Sequence, residues 1–146
     1  EEVWQEIVVP GYWDRQGMSE YDGMAWYRLR FDLPGDIPLE EMVLSLGKID
    51  DVDTTYLNGN LVGQTGGVEK DEVTWKKRRE YAFSADLLKK ENNVLLVRVR
   101  DDVASGGIFT GPIGLMTASQ SERYWELRRA KPNVARTVWD WLLGRS

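Results

Sequence analysis

The chain has 146 residues, 42% of them hydrophobic and 29% charged, with a formal net charge of -5. That length suits one domain with a real core, and the negative charge excludes a nucleic-acid backbone as the main partner, because phosphate binding needs a cationic surface. Cysteine and histidine are both absent, which excludes disulfides, thiolate metal sites, a cysteine nucleophile, a Ser-His-Asp triad and most zinc sites.

Carboxylate pairs, lysine chemistry and hard cations held by oxygen remain. No apolar run approaches the roughly 18 residues of a membrane span, so no transmembrane segment is expected. The first residue is Glu1 rather than Met, as in a processed chain or a piece of a longer one.

Residues 1–118 read as β. Strands are expected at 3–9, 24–33, 42–50, 52–58, 60–64, 78–83, 93–101 and 112–117. They are short and separated by Gly, Pro, Asp and Asn clusters, the pattern of an antiparallel β-sandwich or jelly roll. Along 24–33 the side chains alternate, with Trp26, Arg28 and Arg30 on one face and Tyr27, Leu29 and Phe31 on the other. Asn58-Gly59 predicts a hairpin, because both residues accept the positive φ of a type I′ turn. The run Gly63 to Gly67 lacks the Gly-Lys-Ser/Thr of a phosphate loop and reads as a flexible rim loop. Ser84 to Leu88 predicts one short helical turn with a serine cap. In 93–101, Leu95, Val97 and Val99 face one way while Arg98 and Arg100 face the other, and both this strand and 24–33 are expected inside the sheets.

The spacing becomes helical from about Ser121, a plausible cap, to Leu143. Pro132 breaks that run or opens a second helix. Val134, Val138, Trp141 and Leu142 then form one apolar stripe. Trp125, Trp139 and Trp141 lie among arginines there, which favours a helix docked on this domain or a neighbouring one over a membrane-surface helix. The division is a sandwich over 1–118 and a helical C-terminal extension over 119–146.

Asp50, Asp51 and Asp53 mark the boundary between two strands. A carboxylate pair of the glycosidase kind and a calcium site are both conceivable, though EF-hand spacing fails. The favoured reading is a cross-strand ion network with Arg28, Arg30, Arg98 or Arg100, covered by Trp26, since a buried arginine requires a carboxylate. Among the aromatic residues, Trp13, Tyr21, Trp75 and Phe109 lie near loops, where a sugar ring could stack. Trp26 reads as core.

Five stretches occur in order: "VPGYWD" at 9–14, "YDGMAWYRLRFDLP" at 21–34, "LSLGKIDDVDTTYLNGNLVG" at 44–63, "RREYAFSADLL" at 78–88 and "NNVLLVRVRDDVASGGIFTGP" at 92–112. Together they resemble the sugar-binding domain of the family 2 glycoside hydrolases, a galactose-binding-like jelly roll that is also inserted in sialate O-acetylesterases. The resemblance spans roughly residues 4 to 118 and implies a non-catalytic domain, because in those hydrolases the catalytic carboxylates lie in a separate barrel. It implies a carbohydrate partner, an extracellular or periplasmic setting, and a catalytic domain or partner protein that the C-terminal helix could contact. No cofactor is expected, and a structural calcium stays open. The expected ligand site is a loop end built from Tyr21, Asp22, Trp75, Arg78, Asp102 and Phe109, which together offer an aromatic face, hydroxyl acceptors and a cationic donor. The alternative is a structural or interaction domain that supports a catalytic partner and binds no sugar.

Overall fold

The computed structural model describes residues 4–67 and 73–130. Among the described residues seven strands form two antiparallel sheets: β1 Gly23–Phe31, β2 Met42–Asp50, β3 Val52–Leu57, β4 Asn60–Thr65, β5 Arg78–Phe83, β6 Asn93–Asp101 and β7 Gly107–Thr117. One sheet has the order β1-β6-β3-β4 and the other β5-β2-β7. One helix, α1 Ala118–Ala130, follows β7. The expected all-β sandwich with a C-terminal helix is therefore found among the described residues.

The core lies between the sheets. β6 is an interior strand, so one face of its alternation is sealed and Leu95, Val97 and Val99 are buried. They meet Leu44, Leu46 and Ile49 of β2, Leu57 of β3, Phe83 of β5 and Ile108 of β7. Each such side chain contributes about 1.5–3 kcal/mol by leaving water. Gly47 marks a bulge in β2: its φ is +63°, and a Cβ there would sit 1.7 Å from the Thr110 carbonyl oxygen on β7. A side chain at this position would push β7 off the sheet.

The Asn58-Gly59 turn has φ values of 50° and 83°, as a type I′ hairpin requires. The Ser84 hydroxyl accepts from Asp86 N–H at the start of the short turn Ala85–Leu87. Gly63 to Thr65 lie within β4 rather than in a rim loop, and only Gly66 and Gly67 of that stretch fall outside the strand.

Four expectations about elements need correction. Residues 4–9 form no strand: the Gln16 side chain takes both Val8 N–H and Val8 C=O, replacing a ladder partner. β1 is an edge strand, not an interior one, and Leu29 is 56% exposed because no further strand covers that side among the described residues. β7 starts at Gly107, five residues before the expected 112; Pro112 is accommodated because β7 is also an edge. α1 starts at Ala118 rather than at a Ser121 cap. Thr117 Oγ1 accepts from Gln120 N–H while Gln120 Oε1 accepts from Thr117 N–H, a reciprocal capping box, and Ser121 is buried inside the helix. The stripe from Val134 to Leu142 lies outside the described residues.

The described part of α1 reaches back over the β5-β2-β7 sheet. Trp125 Nε1 donates to Glu80, and the Arg78 guanidinium lies 4.8 Å from the Trp125 ring centroid. No helix among the described residues is long and apolar enough to cross a membrane.

Candidate functional site

Strand register gathers the candidate segments at one end of the sandwich. Gly23 lies opposite Asp101, Val52 opposite Arg100, Asp50 opposite Gly107 and Lys48 opposite Arg78. The connections bearing Tyr21 and Asp22, Asp51, Trp75, and Asp102 to Gly106 therefore all leave from the same end. Binding groups are well placed on such connections because paired strands fix their ends.

Trp13 forms the floor and is fully buried, so it is core rather than a stacking platform. Tyr21 meets it edge-on at 5.8 Å between centroids, and Tyr27 stacks at 6.5 Å. A Cβ on Gly106 would lie 2.1 Å from the Trp13 ring, so glycine is what lets the 102–106 loop close over the indole. Asp14 ties this loop down by accepting from Gly106 N–H at 3.1 Å. Burial pushes the Tyr27 hydroxyl up to about 12, so it stays protonated beside Ile108 N–H.

The expected ion network is not there. Arg28 lies over Trp4 at 4.0 Å, Arg98 donates to Thr54 Oγ1, and Arg100 pairs with Asp102 at 3.6 Å. None of Arg28, Arg30, Arg98 and Arg100 pairs with Asp50, Asp51 or Asp53. Their strands turn these side chains outward, where Trp26 is 45% exposed and not core. The mixed cationic and aromatic face of β1 is a solvent face.

The arginine that meets Asp53 is Arg79, and neither side chain is exposed. Arg79 Nε donates to Asp53 Oδ1 at 2.8 Å; Nη1 donates to the carbonyls of Thr74 and Lys77, and Nη2 to that of Asp51. Asp53 Oδ2 accepts from Tyr81 at 2.7 Å and from Thr55 at 3.1 Å. Burial pushes the Asp53 carboxyl up, and the Arg79 and Tyr81 hydrogen bonds pull against it. The sequence carried a signal for this. In "RREYAF" the inward residues Tyr81 and Phe83 share their face with Arg79, not with Arg78.

Two residues earlier the situation reverses. One carboxylate oxygen from each of Asp50, Asp51 and Asp101 lies within 4.8 Å of the others. The peptide between Asp50 and Asp51 is cis. Burial pushes Asp50 up to about 7, helped by its contact with Asp51 and by the charges of Asp51 and Asp101. Burial likewise pushes Asp101 up to about 6, against the Val103 N–H bond and with the charges of Asp51, Asp22 and Asp14. Asp101 is not among the expected ligand residues; it ends an ordinary alternating strand, and its pairing in the sheet reveals its neighbours.

The expected ligand residues divide into free and engaged groups. Tyr21 is 38% exposed, although its hydroxyl donates to Met24 C=O. Trp75 is 40% exposed with Lys76 Nζ 5.0 Å from its ring centroid. Asp22 is exposed; Asp102 is exposed too, but it is paired with Arg100 at 3.6 Å. Arg78 is taken up by Gly111 C=O and Trp125, and Phe109 stacks on Tyr12 at 5.0 Å and 7°.

No protein-family model matches the chain, and no curated protein sequence matches it. Solved structures do. A β-D-glucuronidase from Dictyoglomus thermophilum superposes with a TM-score of 0.58 at 18% identity, over 71% of this chain and 18% of that one. A β-glucuronidase from Bacteroides uniformis gives 0.55 at 24%, over 73% and 14%. A GH2 β-galacturonidase from Eisenbergiella tayi gives 0.55 at 16%, over 74% and 19%. The chain thus spans under a fifth of the length of these enzymes, and at such identities the likeness is one of fold: this β-sandwich has the fold of one portion of family 2 glycoside hydrolases.

Proposed function

We propose that the chain is a non-catalytic carbohydrate-binding domain, a galactose-binding-like jelly roll that works beside or within a carbohydrate-active enzyme. The observation that carries this reading is the single end of the sandwich where exposed Tyr21 and Trp75 accompany exposed Asp22 and Asp102. An aromatic face stacks on the apolar face of a pyranose, and carboxylates accept from its hydroxyls. Arg78 would join only by leaving Trp125, and Phe109 supports the site through Tyr12 rather than facing a ligand. A glycan array probed with the purified chain, followed by calorimetry on the best sugar, tests the reading. Selective binding at millimolar or better affinity is expected; an array without signal, with no heat from neutral or acidic sugars, overturns it.

One observation favours a second reading, an interaction domain that supports a catalytic partner. On the β1 side a cleft of about 720 Å³ runs between residues 4–9 and both sheets, reaching core residues Leu46, Leu95 and Val97. Leu29 and Ile113 are exposed at its rim, at 56% and 36%. Apolar surface of this kind fits burial against another polypeptide. The same calorimetry separates the readings, since this one predicts no sugar binding. In neither reading does the chain hydrolyse glycosides or acetyl esters by itself, which assays on aryl glycosides and aryl acetates check directly.

A further inference from the structure

We propose that Asp50, Asp51 and Asp101 form a divalent-cation site suited to calcium, which joins the β2–β3 junction to the end of β6 beneath the loop end. Their converging oxygens lie within 4.8 Å of one another. Three carboxylate oxygens with room for water make a hard-cation shell of the kind calcium takes, at about 2.3–2.6 Å from each oxygen.

The second observation is an orphaned oxygen. Asp101 is fully buried; its Oδ1 accepts from Val103 N–H at 3.2 Å, and its Oδ2 has no hydrogen-bond partner among the described residues. A buried carboxylate oxygen without a donor or a cation is costly. Among the described residues no cation pairs with it: Arg79 is committed to Asp53, and Arg100 pairs with Asp102 instead. Asp50 and Asp51 are only partly buried, which leaves an approach for the ion and room for the water ligands that complete a calcium shell. All three ligands come from strand ends, with Asp50 opposite Gly107 and Asp101 opposite Gly23, so the cage is set by sheet register. The site does not depend on sugar binding.

Two arrangements would satisfy the same groups without an ion. Asp50 and Asp51 could share a proton, or the buried Trp13 Nε1–H, which also lacks a partner, could swing onto Asp101. Thermal unfolding of the full chain, in chelator and then in millimolar calcium chloride, distinguishes them from the ion. Calcium is expected to raise the midpoint by roughly 5 °C or more, and calorimetry is expected to show one ion per chain. Asp50→Asn, a partly exposed and isosteric change, should keep the fold by circular dichroism and lose the calcium response. Asp36→Asn, at the exposed Lys90 pair, should keep the response. Absence of any response in the unsubstituted chain overturns the site. So does an equal rise with magnesium chloride or sodium chloride at matched ionic strength, or a full response in Asp50→Asn.

Discussion

Asp53 and Asp101 lie on neighbouring strands of one sheet, both fully buried, yet they are opposites. Asp53 accepts three side-chain hydrogen bonds, one from a buried guanidinium. Asp101 has one backbone donor, an unpartnered oxygen and two further carboxylates beside it. Asp53 therefore belongs to the framework, since all it requires is supplied from within. Asp101 and its neighbours hold negative charge that the described residues leave uncompensated, which is how a site differs from a structural ion pair.

The widest separation between the two regions should come from Arg79→Met. Removing the guanidinium leaves Asp53 buried and unpaired and should cost about 3–5 kcal/mol in urea unfolding. A loss well under 1 kcal/mol would place the pair in the class of exposed bridges.

Next in size, and opposite in sign, are two isosteric changes made in chelator above neutral pH. Asp53→Asn should destabilise the fold, and Asp101→Asn should stabilise it, because it removes a charge that no cation among the described residues pairs with. Equal destabilisation by both would erase the contrast. The pH dependence follows from the same source. Asp50 and Asp101 are raised to about 7 and about 6 from the ordinary 3.8. The folded chain thus keeps protons that the unfolded chain has released. In chelator, stability should be greatest below about 4 for these two groups and fall as the pH rises towards about 7. Unfolding free energy measured across that window should slope downward; Asp50→Asn with Asp101→Asn should flatten it.

The smallest effects belong to the outer faces. Arg28→Ala and Arg98→Ala should each lose about 1 kcal/mol or less, because their aromatic contacts are solvent-exposed. A loss of several kcal/mol from either would revive the cross-strand ion network.

Much of the framework was legible because local pattern and tertiary environment agree. β2, β5 and β6 match their expected limits, since alternation ends at a turn residue or a charge on each side. β1 was recognised as a strand but misplaced in the sheet, for periodicity says which residues share a face and not which strand lies alongside. The arginines of β1 and β6 and the aspartates at the β2–β3 boundary do alternate, but facing directions come from the sheet, and it turns the arginines outward. The start of α1 was legible in Thr117 and Gln120, though Ser121 was the more conspicuous cap. The loop end was foreseeable from the turns that frame each strand. The grouping of Asp50, Asp51 and Asp101 was not, because it depends on β2 and β6 ending beside each other across about fifty residues of sequence.

Sugar binding at the loop end is tested most directly by tryptophan fluorescence during sugar titration of the unsubstituted chain and of Trp75→Ala. Trp75 is 40% exposed, so its removal should cost less than about 1 kcal/mol of stability. The account predicts a saturable change in the unsubstituted chain and at least about a tenfold loss of affinity in the variant, as expected for a stacking platform. Unchanged affinity in Trp75→Ala, or no saturable change with any sugar at millimolar concentration, would contradict it.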